Sequence, residues 1–405
     1  MKTSLHKPQN KTLYLLYNIL YTAGFMFCSG TVIQTFMLSV GMNDADVSAY
    51  NAVIQFVQAA VILIMSFFAD RIKRVLKVYA SIILSVSIVA AALVFCVFVR
   101  SDLIAVKVIV FASSVVAYFL IGVRNAVDYR IFYEIFDMRD LGRLMGVAIA
   151  ISGLFSFGIS ALYSYAVTKF DYYDVMTAFF IFSAVSLVLS SFACFSYKKA
   201  NDTPQSEKGR GVDLSAFKNK ITRALALPGL FRGFSSGIMG LITVVGFSGG
   251  ILDVKTASYL GIVTQITSFA GNLLFSALSK KVKSRAAVLI SSVVFGAAMP
   301  LTVAGGNIDS FFIGYAVSNF AYVIVNISIP ILVCEIVDYD QIGSFTCIRM
   351  MIFTLGSVIA SVVYKPLSDL IGPLWLFLIA GIMQIFCGAA HYIVAKNAVK
   401  SRHAA

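Results

Sequence analysis

Twelve stretches of predominantly apolar residues, each long enough to cross a lipid bilayer as a helix, run along this chain of 405 residues. They cover 13–40, 47–69, 77–99, 103–124, 143–168, 173–197, 228–252, 257–279, 286–305, 310–334, 349–368 and 374–396. Roughly 20 residues at ~1.5 Å each span the hydrocarbon layer. No soluble core can bury twelve such segments. The composition agrees: 59% of residues are hydrophobic and 13% charged, against about 25% charged in soluble domains. A water-soluble enzyme is excluded. Lipid offers no partner for backbone N–H and C=O groups, so each segment must satisfy them internally as an α-helix. The expected fold class is an all-α polytopic membrane protein with 12 transmembrane helices. Met1 to Lys11 lead into the first stretch without a small-residue cleavage site, and that stretch runs 28 residues. It is longer than the apolar core of a signal peptide, so a retained first helix is expected.

Charge then sets orientation. The formal net charge is +13, which in a soluble protein would suggest a polyanionic partner. An even number of spans puts both ends on one side. Taking that side as cytoplasmic places Lys2, Lys7, Lys11, the Asp70–Lys77 loop, Arg124 to Arg143, Lys198 to Arg232, Lys280 to Arg285, Arg349 and the tail inside. That side holds 27 of the 32 Lys and Arg residues but 11 of the 19 acidic ones. Only Arg100, Lys107, Lys169, Lys255 and Lys365 remain outside. This is the positive-inside distribution. It predicts a multi-pass protein of the cell membrane with both termini cytoplasmic, the bilayer as its partner, and no nucleic acid. The six cysteines (28, 96, 194, 334, 347, 387) lie in or at the ends of spans without CxxC pairs; they read as packing residues. His6 and His403 lie in the tails and His391 stands alone on span twelve, so no metal site is expected.

The longest interior polar segment, from Tyr197 to Leu227, divides the spans six and six. Its first part reads as a linker and its second as a short basic amphipathic helix on the membrane face. The division predicts an N-terminal six-helix bundle (1–197), a cytoplasmic linker (198–227) and a C-terminal six-helix bundle (228–405). The halves carry matching landmarks. FFADRIKRVLKV (67–78) after span two answers to ALSKKVKSRAAV (277–288) after span eight. YEIFDMRDLGR (133–143) after span four answers to CEIVDYDQIGS (334–344) after span ten. An internal duplication in parallel six-helix halves is one of the known transporter plans.

Twelve spans, a central cytoplasmic loop and Asp70-Arg71-Ile72-Lys73-Arg74 between spans two and three resemble the major facilitator superfamily, whose loop signature is G-x-x-x-D-R-x-G-R. Ser66 and Lys73 stand where that signature has glycine. Glu335-Ile336-Val337-Asp338-Tyr339 with Arg349, and Asp128-Tyr129-Arg130 ahead of Glu134 and Asp137, resemble the glycoside–pentoside–hexuronide cation symporters, the melibiose permease group. Arg130 replaces that group's proline, and Gln55 and Gln58 lie where it carries paired aspartates on span two. The resemblance implies two six-helix bundles related by a pseudo-two-fold axis and alternating access around a central site.

Candidate site residues are mostly neutral. Span one carries Tyr14, Asn18 and Tyr21; span ten carries Tyr315, Asn319, Tyr322 and Asn326. Their shared spacing, Tyr-x3-Asn-x2-Tyr, sets each group on one helical face. Asn51, Gln55 and Gln58 on span two, and Gln265, Ser268 and Asn272 on span eight, repeat the pattern. Buried amides need partners. Either helix-to-helix bonding or a wet cavity binding a solute supplies them, and the convergence of four stripes favours the cavity. Lys107 and Lys365 near the outer face, and Arg232 near the inner end of span seven, are each placed to snorkel to the interface. Asp128, one turn beyond Arg124, is either half of a structural i, i+4 pair or the coupling carboxylate. Asp70, Arg71 and Arg74, with Glu134, Asp137 and Arg143, and their counterparts Glu335, Asp338 and Arg349, are candidates for a cytoplasmic gate of weak, breakable ion pairs.

The expected function is therefore a secondary active transporter, with a sugar or glycoside:cation symporter as first reading. The partner is a small solute, the coupling ion Na+ or H+, no other cofactor is implied, and a monomer suffices. Against the sugar reading stand the single tryptophan, Trp375, and the absent span-two aspartates. An exporter or uniporter of another small organic solute is the alternative. However, span five, GVAIAISGLFSFGISAL, lacks the proline of the exporters' G-P-x-x-G-G stretch. An intramembrane enzyme would need a base beside a nucleophile, and the acidic loops contain no histidine.

Overall fold

The computed structural model describes residues 7–68, 72, 74–136, 138–199, 220–278, 281–337 and 342–404. Among them the regular structure is helical throughout. Eleven helices are long and apolar enough to cross a membrane, and a bent pair, Arg223–Met239 with Ile242–Ser248, makes a twelfth. Each of the twelve apolar stretches falls on one of these. Large apolar side chains point outward, among them Phe98, Ile104 and Leu370 at 71%, 76% and 79% exposure. An apolar surface of this kind suits lipid. The protein is an all-α polytopic membrane protein.

Contacts divide the chain into two compact units: Met1–Met42 with Ala60–Gly211, and Asn43–Ala59 with Val212–Ala405. The first unit contains α1 (Lys7–Phe25), α2 (Gly30–Ser39), the later part of α3 (Asp44–Phe68), α4 (Val75–Phe98), α5 (Leu103–Ile135), α6 (Met138–Lys169) and α7 (Tyr172–Phe195). Within it α4 packs on α5 and α7, and α1 on α6 and α7. Span one, expected as one helix, is interrupted. A 3-10 turn at Met26–Cys28 is followed by Ser29 in extended backbone, and Gly30 restarts the helix at φ +58°, where a side chain would be strained. The broken end is held by α7: Ser183 donates to the Gly24 carbonyl at 2.7 Å and lies 2.9 Å from the Cys28 sulfur. Asn10 ties the start of α1 to the carbonyls of Ile135 and Lys198 at 3.2 and 2.8 Å.

The second unit contains the first part of α3, then α8 (Lys220–Ala226), α9 (Gly229–Met239), α10 (Ile242–Ser248), α11 (Val254–Leu278), α12 (Ser284–Ala298), α13 (Leu301–Ala304), α14 (Ile308–Ile336), α15 (Ile342–Ile371) and α16 (Pro373–Ala404). The short basic helix expected on the membrane face is α8. It docks on the unit, burying Leu225 and Ala226 in a core with Val288, Val325, Ile329 and Phe345. Span seven bends by 40° between α9 and α10. Pro330 does not break α14, which runs through it.

Small residues let backbones meet here, as is common in membranes. Gly229, Gly233 and Gly237 recur every four residues along α9 and face α15; a Cβ on Gly233 would overlap the Phe353 carbonyl, and one on Gly356 the Leu230 carbonyl. Ser357 donates to the Gly233 carbonyl at 2.9 Å across the same crossing. Gly296 of α12 and Gly381 of α16 meet in the same reciprocal way.

The short loops expected outside are closed by acidic or amide caps. Asn43 and Asp46 exchange bonds at the start of α3, 2.9 and 3.1 Å. Asp102 takes the first amides of α5, Asp171 those of α7 and Asn307 that of Ser310 on α14. Side-chain oxygens at helix N-termini satisfy donors that the helix leaves open. The acids of these loops are therefore used structurally. At Asp253, bonds from the Thr256 backbone and hydroxyl hold the carboxyl below the usual range.

Candidate functional site

In the first unit, three helices converge on one cation. Arg124 of α5 donates from Nε to the Tyr79 hydroxyl of α4 at 3.1 Å. Its guanidinium lies 4.2 Å from the centre of the Tyr21 ring and 5.7 Å from that of Tyr17, both on α1. The Tyr17 and Tyr79 hydroxyls are 2.7 Å apart and bonded. Asp128, one helical turn on, places Oδ1 3.7 Å from Arg124 Nε. Tyr21 stacks in turn on Phe25, ring centres 5.6 Å apart and nearly parallel. A cation over desolvated aromatic faces gains ~2 kcal/mol or more, so the cage explains how an arginine stays inside an apolar span.

Of the predicted stripe on span one, Tyr21 joins this cage. Tyr14 packs edge-on against Phe136, 5.2 Å away. Asn18 turns its amide back onto the Tyr14 carbonyl of its own helix at 2.8 Å. Tyr17 and Tyr79 were not among the sequence candidates. Tyr17 had a signal, since Tyr14, Tyr17 and Tyr21 share a face at spacings of three and four. Tyr79, alone in an apolar run, had none.

In the second unit the stripe on α14 forms a ladder of cross-helix bonds. Tyr315 bonds Thr264 of α11 at 2.6 Å, hydroxyl to hydroxyl. Asn319 donates to the Thr267 hydroxyl at 2.6 Å and the Thr264 carbonyl at 3.3 Å. Ser236 of α9 donates to the Tyr322 hydroxyl at 3.2 Å, and Arg232, one turn earlier on α9, donates to the Asn326 carbonyl oxygen. Tyr315 is buried, while Asn319, Tyr322 and Asn326 are half-buried. Asn272 folds back onto the Ser268 carbonyl at 2.7 Å. Asn51, Gln55 and Gln58 on the first part of α3, and Gln265 on α11, are half-buried.

Arg232 does not snorkel. It is 6% exposed, and its guanidinium lies 4.9 Å from the centre of the Phe353 ring. The sequence misplaces it because span seven begins earlier than hydropathy suggests, at Arg223.

Residues 13–361 match the family pattern described as Major Facilitator Superfamily. The chain belongs to this superfamily. Among solved structures, this superfamily member is similar to a D-xylose-proton symporter, with TM-score 0.69 and 13% identity over 95% of this chain and 97% of the other. It is also similar to a variant of the nucleoside transporter NupG, with TM-score 0.68 and 15% identity over 96% and 99% of the two chains. At such identities the likeness is one of fold. No curated protein sequence matches the chain. It is an MFS transporter.

The gate candidates of this MFS protein are seen in part. Asp70, Arg71, Asp137 and Asp338 lie outside the described residues, as does the side chain of Arg143. Arg74 is exposed just ahead of α4, and Glu134 is buried near the end of α5. Glu335 accepts from the Ser284 hydroxyl at 2.5 Å, joining α14 to the start of α12. Arg349 is buried at 6% exposure beside the first turn of α9.

Proposed function

We propose that this MFS transporter works by alternating access as a sugar or glycoside:cation symporter, with Asp128 as the coupling carboxylate. The observation that carries this is the caged pair of Arg124 and Asp128. The carboxylate is 3.7 Å from Nε, while that nitrogen already donates to Tyr79 at 3.1 Å. Asp128 is thus near a countercharge without being locked to it by a hydrogen bond. A proton or Na+ on Asp128 competes with Arg124, and the tyrosine cage retains the arginine meanwhile. Ion occupancy is thereby passed to α1 and α4 through Tyr21 and Tyr79. The half-buried amides of α3, α11 and α14 and the Tyr322 ring, all in the second unit, supply hydroxyl-binding groups and an aromatic face suited to a sugar. Kinship of fold with a D-xylose-proton symporter supports this reading. The basic and acidic residues of the loops after spans two, four and ten act as the cytoplasmic latch.

The test is the full chain in liposomes, given labelled sugars under imposed sodium or proton gradients. The Asp128→Asn variant should lose gradient-driven accumulation and keep solute exchange. Unchanged uphill uptake in that variant removes Asp128 from coupling. Uptake indifferent to either gradient in the parent protein identifies a uniporter instead.

A further inference from the structure

The end of the second unit that carries α8 is cationic on its outside. Leu225 and Ala226 of α8 share one buried core with Val288 near the start of α12, Val333 near the end of α14, Phe345 of α15 and Ala395 near the end of α16. Around that core stand Lys220 and Arg223 of α8, Lys281 and Lys283 ahead of α12, and Lys396 of α16, all exposed. Among the described residues none of these cations pairs with a carboxylate. Glu335 at the end of α14 accepts from the Ser284 hydroxyl. Like charges on a docked helix and its neighbours repel one another, so each works against the seating of α8. Three of the cations stand next to an apolar side chain that faces outward. Arg223 precedes the exposed Leu227 by four residues, Lys283 precedes Ile290 by seven and Lys396 follows Ile393 by three. In each pair the apolar residue lies further into the span. The spacings set both members on one side of the helix, about 5–10 Å apart along it. Because α16 packs against both α12 and α8, the three pairs belong to neighbouring helices.

We propose that these helices bind an anionic phospholipid, with its headgroup phosphate on Arg223, Lys283 and Lys396 and its acyl chains on Leu227, Ile290 and Ile393, and that the bound lipid holds α8 docked. The match is one of layers. A phospholipid carries its phosphate at the membrane surface and hydrocarbon beneath it, and each pair offers the complement in the same order. Each basic group beside an acidic membrane surface strengthens attachment about fivefold. A zwitterionic lipid brings the same hydrocarbon without net charge, so it leaves the repulsion around α8 in place. By the positive-inside distribution the lipid comes from the cytoplasmic leaflet. The effect reaches the bundle, because α8 packs on α15 as well as α16. Lipid that neutralises the charge of α8 therefore fastens the ends of these helices together, whatever solute the protein carries.

The test uses the full chain in detergent micelles that carry either phosphatidylglycerol or phosphatidylcholine. Native mass spectrometry counts the lipid retained on the protein, and hydrogen exchange follows the amides of α8. Phosphatidylglycerol should be retained about tenfold better than phosphatidylcholine, or more, and should slow exchange in α8. Salt at about 1 M, which shortens the reach of charge to ~3 Å, should abolish that preference. The triple variant Arg223→Gln, Lys283→Gln, Lys396→Gln should lose phosphatidylglycerol by about tenfold or more. Its melting temperature in phosphatidylcholine should equal or exceed the parent's. Lys77→Gln, Lys169→Gln, Lys255→Gln, an equal loss of exposed charge on other helices, should change neither retention nor exchange. Equal retention of the two lipids overturns the proposal, as does retention intact in the first triple variant or lost equally in the second. The salt titration needs no variant, and a preference that survives it is equally fatal. Displacement of the lipid by an equal concentration of soluble glycerol phosphate would mark a simple anion site and exclude the lipid. Retention without slower exchange in α8 would remove the clasp.

Discussion

Replacing Gly356 by alanine tests the packing of α9 on α15, because the outcome has a sign as well as a size. An added Cβ would overlap the Leu230 carbonyl and stand 2.8 Å from Phe234 N and 3.0 Å from Gly233 Cα. Ordinary carbon contacts lie near ~3.5–4.0 Å, so the helices must part by about 0.5–1 Å. The Ser357 to Gly233 bond, 2.9 Å in the native packing, then stretches beyond useful length. Overpacking costs about 1–3 kcal/mol and the lost bond about 0.6–1 kcal/mol. Alanine's better helix propensity returns ~0.8–1.0 kcal/mol. The net expectation is a loss of about 1–3 kcal/mol. Gly153 and Gly158 on α6 have nothing within 4 Å of an added Cβ. There the same substitution keeps only the propensity gain and should be neutral or stabilising. Melting temperatures of the three variants, measured in one detergent on the full chain, should place Gly356→Ala below the parent and the other two at or above it. Gly356→Ala melting with Gly153→Ala would refute close backbone contact at this crossing.

Other perturbations address the first unit and the loop caps. Tyr79→Phe strips a partner from both Arg124 and Tyr17 and should destabilise by about 1–3 kcal/mol; a double-mutant cycle with Tyr17→Phe should be non-additive, and simple additivity would show that the hydroxyls are not coupled. Gly30→Ala forces a side chain into the left-handed region and should cost about 1–2 kcal/mol, read as a lower melting temperature; an unchanged value would mean that span one need not break there. Asp253 has its folded-state carboxyl pKa lowered by Thr256, so its cap contributes fully above the unfolded value near ~3.9 and is lost as pH falls through the lower folded value. Hydrogen exchange in the first turn of α11 should therefore accelerate at strongly acidic pH, and Asp253→Ala, which loses a cap worth about 1 kcal/mol, should remove that step.

The spans were legible because lipid imposes one demand, internal satisfaction of backbone bonds, on every residue of a crossing segment. Breaks within spans were not. Ser29-Gly30 looks like ordinary small residues, and only the Ser183 hydroxyl of α7 reveals why the helix stops there. Helical spacing also gave faces without partners. The stripe Tyr315, Asn319, Tyr322 and Asn326 was visible in sequence. Its bonds to α11 and α9 were not, because Thr264, Thr267 and Ser236 resemble the many small hydroxyl residues of any packed span. Arg232 lies within the apolar stretch 228–252, and its depth was not legible because its contacts, Asn326 and Phe353, come from other helices.

The duplication legible in the loops did not preserve chemistry in the interiors. Span one and span ten share Tyr-x3-Asn-x2-Tyr, yet Asn18 bonds its own helix while Asn319 bonds α11. The rings of α1 are spent on enclosing Arg124, and the polar groups of α14 on bridging helices and meeting Arg232. The two arginines differ in the same sense. Arg124 lies beside a carboxylate, whose charge an ion can cancel and restore. Arg232 lies beside an amide and has no carboxylate partner among the described residues. On the proposed reading, with Asp128 as coupling carboxylate, the cation-driven step belongs to the first unit. Exchanging Asn326 for Asp tests that contrast: a carboxylate there should satisfy Arg232 and raise the ligand-free melting temperature. It should leave gradient dependence tied to Asp128. A lowered melting temperature in Asn326→Asp would show that Arg232 does not want for a countercharge.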